Sequence, residues 1–243
     1  MFSPETAPAF SFAFQPIVDA ETQRNISWEA LIRGPHGEPA ASVLSQITPV
    51  ALYPFDEWAR SNAIDLACSL GIDCDINLNF LPGALCASET ALALTLEATQ
   101  RHHLAPDRIV IEISETERVP DPALFVDRIS LYRAAGIRIS IDDFGAGHSG
   151  LNLLVDFQPD QVKLDMKLVR GIHAHGPRQA IVRGICQTCF DLAIDIVAEG
   201  VETAEEYCWL RSEGIRLFQG HLFARPALQA APRVTFPWPT FCS

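Results

Sequence analysis

From residue 75 to residue 220 the chain alternates short apolar runs of strand length with longer stretches of helical spacing. That alternation constrains the fold more than any other feature, because strands separated by helices build parallel sheets. The strand-type runs are DINLNF (75–80), IVIEIS (109–114), IRISID (137–142), QVKLD (161–165), DIVAEG (195–200) and IRLFQG (215–220). Helical stretches are expected over about 89–102, 122–135, 151–156, 178–192 and 203–213. Pro122 near the start of the second and Gly136 just past its end are the usual punctuation. Upstream, SFAFQPIVD (11–19) and ISWEALIRG (26–34) flank a turn at 21–25 and read as a hairpin. Helical stretches follow from about 41 and over 55–70. Some eight strands with helices between most of them favour a closed α/β barrel over an open doubly wound sheet, and 243 residues suit one barrel. The expected division is a loose arm (1–11), a barrel (12–228) and a proline-rich tail (229–243).

A barrel gathers its chemistry at the C-terminal ends of its strands. Taken in order, those ends carry Glu29, Asn79, Glu112, Asp142 with Asp143, Lys163 with Asp165, Glu199 and Gln219. One acid at a strand end is an ordinary cap for the next helix. Five strands ending in carboxylates would repel one another across a single mouth, and buried carboxylates without partners tend to take up protons. Divalent cations remove the conflict, and oxygen ligands of this kind suit magnesium or manganese. Asp142 and Asp143 can between them bridge two ions, so a binuclear site is expected. Asn77 shares a strand face with Asn79 but lies behind it, which makes Asn79 the better ligand. Lys163 supplies a fixed cation beside the metals, able to stabilise negative charge as it develops.

The same residues carry a family resemblance. WEALIRG (28–34) contains Glu29-Ala30-Leu31, and FQPIVD, INLNF, IEISETE, IDDFGAGHSG, VKLD, AEGVET and FQGHLFARP accompany it in order along the chain. This series resembles the EAL family of cyclic-di-GMP phosphodiesterases over nearly the whole sequence. The resemblance implies a modified TIM (β/α)8 barrel with one antiparallel strand near the N-terminus, which agrees with the hairpin-like start. It implies hydrolysis of one phosphodiester of cyclic-di-GMP to linear 5′-pGpG with two Mg2+ or Mn2+ ions, and a homodimer. Glu29, Asn79, Glu112, Asp142, Asp143 and Glu199 match the metal ligands. Lys163 matches the lysine beside the attacking water, and the implied catalytic set is Lys163, Glu29, Glu199 and Glu202. Gln15, Arg33, Asp165, Gln219 and Pro226 fall at substrate-binding positions, Arg33 through a phosphate. Glu115 matches the glutamate that steadies the loop after Asp143. Two such ions would acidify a water for in-line attack on phosphorus and offset charge on the leaving 3′ oxygen. The loop DFGAGHSG departs from the family's DFGTGYSS at Ala146, His148 and Gly150, which bears on rate and regulation. The family's N-L-S reads Asn79-Phe80-Leu81.

Other readings weigh less. A net charge of −12 and the lack of a basic run argue against a DNA- or RNA-polymer surface. The start of the chain lacks a signal-peptide pattern and no apolar run is long enough to span a bilayer, so a cytoplasmic location is expected. The seven cysteines show no disulfide spacing, and Cys186 and Cys189 lie in an apolar helical run without a second pair. Gly145, Gly147 and Gly150, with Asp165 further on, match a dinucleotide fingerprint. Two carboxylates directly before those glycines would repel a pyrophosphate, and the unit lies mid-chain. His173 and His175 read as an exposed turn, and His102-His103 as cations near a helix C-terminus. The remaining rival is a catalytically silent EAL domain that acts as a cyclic-di-GMP receptor or protein-interaction module. A lost ligand would mark it, and no expected ligand is missing.

Overall fold

A computed structural model describes residues 7–87, 90–147 and 150–236. Most of the expected arm, Glu89, His148 and the end of the tail lie outside the described residues. The chain opens with β1 (Ser11–Asp19) and β2 (Arg24–Arg33), then α1 (Ala40–Leu44), α2 (Leu52–Ser69), β3 (Asp75–Phe80), α3 (Pro82–Ala87) and α4 (Ala91–Arg101). It continues through β4 (Ile109–Ser114), α5 (Pro122–Ala134), β5 (Arg138–Phe144), α6 (Gly150–Phe157), β6 (Gln161–Leu164) and α7 (Met166–Val169). The last elements are α8 (Gly176–Asp191), β7 (Asp195–Ala198), α9 (Ala204–Ser212), β8 (Leu217–Phe218) and β9 (Ala227–Leu228).

Strands β2 to β8 pair in parallel in chain order. β1 runs antiparallel between β8 and β2 and closes the circle, so the expected barrel with one reversed strand is what forms. The short β9 adds to β1 at Ala13 and Phe14. Alternation along each strand divides the residues into two populations. Ile76, Leu78, Phe80, Ile109, Ile111 and Ile113 join the large core shared with residues of the surrounding helices. Inside the barrel Ile17, Val197 and Leu217 form a small separate core. The buried Ser27, Asn77, Ser140 and Lys163 share the inward parity, and the carboxylates cluster beyond them. The barrel is thus plugged with hydrocarbon at one end and lined with polar groups toward the other.

Local chemistry places the helix starts. Asp121 accepts a hydrogen bond from the Leu124 amide ahead of Pro122, and Thr203 and Glu206 form a capping box at α9. His175 caps α8 by accepting from the Arg178 amide, a structural use of the HxH turn. Three elements were not anticipated: α3, a single apolar stretch behind Pro82, the one-turn α7, and β9. The expected strand over 215–220 pairs only at Leu217 and Phe218. No helix among the described residues is long and apolar enough to cross a membrane.

One difference decides the site. The strand that was expected to stop at residue 142 continues as β5 through both aspartates to Phe144. Its register with β6 shifts between Ile141 and Phe144, and Asp143 has a positive φ of 56°. Adjacent residues of a regular strand point to opposite faces, so two neighbouring aspartates would be split between mouth and wall. The irregularity turns the backbone locally and lets both carboxylates serve one centre.

Candidate active site

Lys163 sits at the middle of the mouth, fully buried. Its Nζ lies 2.6 Å from Glu199 Oε1, 2.8 Å from Glu112 Oε1, 3.2 Å from Asp142 Oδ1 and 3.3 Å from Glu29 Oε2. Burial works against its charge, but Asp142, Glu112, Glu199 and Glu29 together outweigh it and hold its pKa well above that of an ordinary lysine. The ammonium is within ion-pairing reach of all four yet aligned for a hydrogen bond to none. Nζ, Asp142 Oδ1 and Glu112 Oε2 are consequently buried polar atoms without a hydrogen-bond partner.

Amides orient the acids. Asn79 donates to Glu29 Oε1 at 3.3 Å and Gln219 donates to Glu29 Oε2 at 2.7 Å. Asn77 donates to Glu112 Oε1 at 2.8 Å, and the Ser114 hydroxyl donates to Asp143 at 3.2 Å. Burial raises the Glu112 pKa to about 8 despite the opposing Lys163 charge. Burial, seconded by Asp142, lifts Glu199 well above the usual carboxylate range, and burial also raises Asp143. These are the signs of acids crowded together in a dry place.

Two overlapping groups have the geometry of cation ligands: Glu29, Glu112 and Asp142, and Asp142, Asp143 and Glu199. In each, one oxygen per residue lies within 4.8 Å of the others, and Asp142 belongs to both. All ligand atoms are hard oxygens, two of the buried ones lack any hydrogen-bond donor, and the negative charge of the cluster is otherwise offset by Lys163. The residues therefore fit a pair of divalent cations.

Two cavities flank this centre. The larger, about 640 Å³, is bounded by β2, α1, α2 and β3 and includes Arg33 and Asn79 in its wall. The smaller, about 300 Å³, is lined by Gln15, Asp165, Arg170, Glu202, Gln219 and His221 among others. Glu29 and Asp142 line both. Gln15 donates to the Ala224 carbonyl at 3.2 Å, and Asp165 caps α7 by accepting from the Lys167 amide at 2.8 Å. Glu115 accepts from the Gly145 amide at 2.7 Å, next to the Asp143 bend. Glu202 stands apart from the carboxylate cluster: it is paired with Arg170 on the rim, which lowers its pKa, and His221 Nδ1 is 3.5 Å away. Pro226 lines neither cavity and lies just before β9. The larger cavity also contains a pair that sequence reasoning missed. Arg60 is 3% exposed, pairs with Asp56 and stacks 3.7 Å from the centroid of the Phe80 ring. An acid and a base four residues apart beside the apolar Phe55, Ala59 and Ala63 are the signal that marked it.

A barrel with one reversed strand and a carboxylate cluster suited to two cations at its mouth defines the class. The chain belongs to the EAL domain family, whose pattern matches residues 6–226. It is 38% identical over 227 residues to the blue light- and temperature-regulated antirepressor BluF of Escherichia coli K12, covering 93% of this chain and 56% of that protein. It is 34% identical over 158 residues to the cyclic di-GMP phosphodiesterase RocR of Pseudomonas aeruginosa PAO1, covering 65% of this chain and 40% of RocR. The chain thus spans roughly half the length of these relatives. Among solved structures, a standalone EAL protein from Vibrio cholerae O395 in its c-di-GMP-bound form superposes with a TM-score of 0.89 at 42% identity, covering 96% of this chain and 98% of that one. Klebsiella pneumoniae BlrP1 in a manganese/cyclic-di-GMP complex gives a TM-score of 0.87 at 43% identity, covering 92% and 57%.

Proposed function

We propose that this chain hydrolyses one phosphodiester bond of cyclic-di-GMP to give linear 5′-pGpG. The observation that carries the reading is the complete carboxylate set around buried Lys163, with Glu112 Oε2 and Asp142 Oδ1 left without donors. Glu29, Asn79, Glu112, Asp142, Asp143 and Glu199 would hold two Mg2+ or Mn2+ ions. Such ions supply Lewis acidity, lowering the pKa of a water and offsetting charge on the phosphate.

The chain's own residues do the rest. Asn79 and Gln219 clamp the two oxygens of Glu29, so that carboxylate is oriented before substrate arrives. Lys163 stays protonated across the neutral range and offers a positive charge to the negative charge that develops on phosphorus. The cavities on either side of the acids suit a two-lobed ligand whose scissile phosphate lies between them. Gln15, Asp165 and Gln219 face one lobe and Arg33 the other. Glu115 steadies the bend at Gly145 and with it Asp143. Glu202, paired with Arg170, lines the same small cavity as Glu29 and Glu199, and Pro226 lies just before β9.

A second reading is favoured by one finding, the similarity to a protein named as an antirepressor. In that reading the domain binds cyclic-di-GMP and signals without cleaving it. Incubation with cyclic-di-GMP and Mn2+ or Mg2+, followed by chromatography of the products, separates the two, with Glu29→Ala as control. Linear pGpG from the wild type alone supports the hydrolase. Binding by calorimetry without product in either metal would favour the receptor.

A further inference from the structure

The structure assigns to Asn77 the orientation of the Glu112 carboxylate, and through it the affinity of the centre for cations. The inference rests on the metal-dependent reading above. Asn77 is 1% exposed and lies on β3 with its side chain inside the barrel, two residues before Asn79. In the sheet it pairs with Glu29 on one side and Val110 on the other, which places it just beneath two of the acids. It lines neither cavity, so it touches no position a substrate would occupy.

A buried amide has two distinguishable ends, and here both are used. The Ser27 hydroxyl donates to Asn77 Oδ1, and Asn77 Nδ2 donates to Glu112 Oε1 at 2.8 Å. Turning the amide over would set its oxygen against the ionised, cation-binding carboxylate, acceptor to acceptor. The carboxylate therefore settles which end of Asn77 meets it, and the Ser27 hydroxyl, able to donate or accept, anchors the other end by donating to Oδ1.

The consequence falls on Glu112. Its Oε1 takes the Asn77 N–H and lies 2.8 Å from Lys163 Nζ, while its Oε2 has no hydrogen-bond donor at all. One oxygen is engaged and the other is bare, in a side chain that is 1% exposed. A carboxylate held in this way presents a single oxygen to a cation in a fixed direction. Without the amide the group can rotate about its terminal bond and share both oxygens with the ammonium. Partners of this outer kind commonly change metal affinity by about 10–100-fold.

The test measures Mn2+ binding by calorimetry to the full chain without substrate, for wild type, Asn77→Leu and Ser27→Ala. Asn77→Leu keeps the branched shape and removes the donor. The expected result is about 10–100-fold weaker Mn2+ binding, with a cooperative unfolding transition retained in EDTA and an unchanged KM for cyclic-di-GMP at saturating Mn2+. Ser27→Ala, which leaves Asn77 Oδ1 without its donor and loosens the amide, is expected to fall between the two. A folded Asn77→Leu that binds Mn2+ within two-fold of wild type overturns the inference. If Asn77→Leu does not fold, Ser27→Ala decides, and wild-type affinity there overturns it. A wild type that binds no Mn2+ sinks the metal reading itself, so the two failures are distinguishable.

Discussion

Replacing Lys163 with methionine isolates the electrostatics of the centre. The ammonium is fully buried and faces four carboxylates at 2.6–3.3 Å. Removing one partner of a buried charge set costs about 3–5 kcal/mol, because the others are left uncompensated. For a domain of this size each kcal/mol lowers the melting temperature by about 2–4 °C, so a drop of about 6–20 °C is expected. The sign of the pH dependence follows from the acids. Glu112, with an ordinary carboxylate pKa unfolded and about 8 folded, contributes stability that is fully present at acid pH and lost as pH rises through 8. Lys163 has a raised pKa, so its own contribution persists through neutral pH and is lost only above its folded value. Without the lysine the acids are pushed further up, and Lys163→Met should suffer little at pH 5 and most at pH 8. Saturating Mn2+ replaces the missing charge and should recover much of the loss. The assay is thermal unfolding of both proteins at pH 5 and pH 8, in EDTA and in Mn2+. A drop at pH 8 in EDTA below about 3 °C, or one of equal size with Mn2+, would refute the reasoning.

Other outcomes follow from the same geometry. Because burial raises Glu112 to about 8 and lifts Glu199 above the usual carboxylate range, Mn2+ binding at neutral pH should release protons. Calorimetry in buffers of different ionisation enthalpy should give different heats, and identical heats would contradict the raised values. Asp56→Ala leaves Arg60 buried and unpaired and should cost about 3–5 kcal/mol in urea unfolding, whereas Asp56→Ala with Arg60→Leu should recover most of it. A Cβ at Gly220 would run into the Val201 backbone, so Gly220→Ala should displace Gln219 from Glu29 and lower stability by at least about 1–3 kcal/mol. A fully stable, fully active Gly220→Ala would count against that packing. Burial raises the thiols of Cys186 and Cys189 to about 11 and about 12, so both should react slowly with alkylating reagents at pH 7, as timed mass spectrometry can show.

Much of the molecule was legible in the sequence, and the reason is periodicity. Apolar alternation in IVIEIS or QVKLD names a strand, and the helical stretches between such runs leave few ways to connect them except a barrel. The strand ends then name Glu112, Lys163, Glu199 and Gln219 as neighbours, because a closed sheet brings every strand end to one rim. Glu29 is the instructive exception: β2 runs four residues beyond it to Arg33, since pairing with the reversed β1 extends that strand past the mouth.

What the sequence could not contain is the geometry that depends on contacts far apart in the chain. Adjacent Asp142 and Asp143 look equivalent in a row of letters, and only the irregular pairing with β6 turns both toward the centre. Position along the strand favours Asn79 over Asn77 as a ligand but names no partner for Asn77. Tertiary structure gives Asn79 to Glu29 and Asn77, held by Ser27, to Glu112. The Asp56–Arg60 pair is set apart from other charges on α2 only once that helix packs Arg60 against Phe80. The sequence determined which residues meet, through the periods of strand and helix. Which atom of each faces which partner was decided by burial, where a polar atom must find a partner or be left bare.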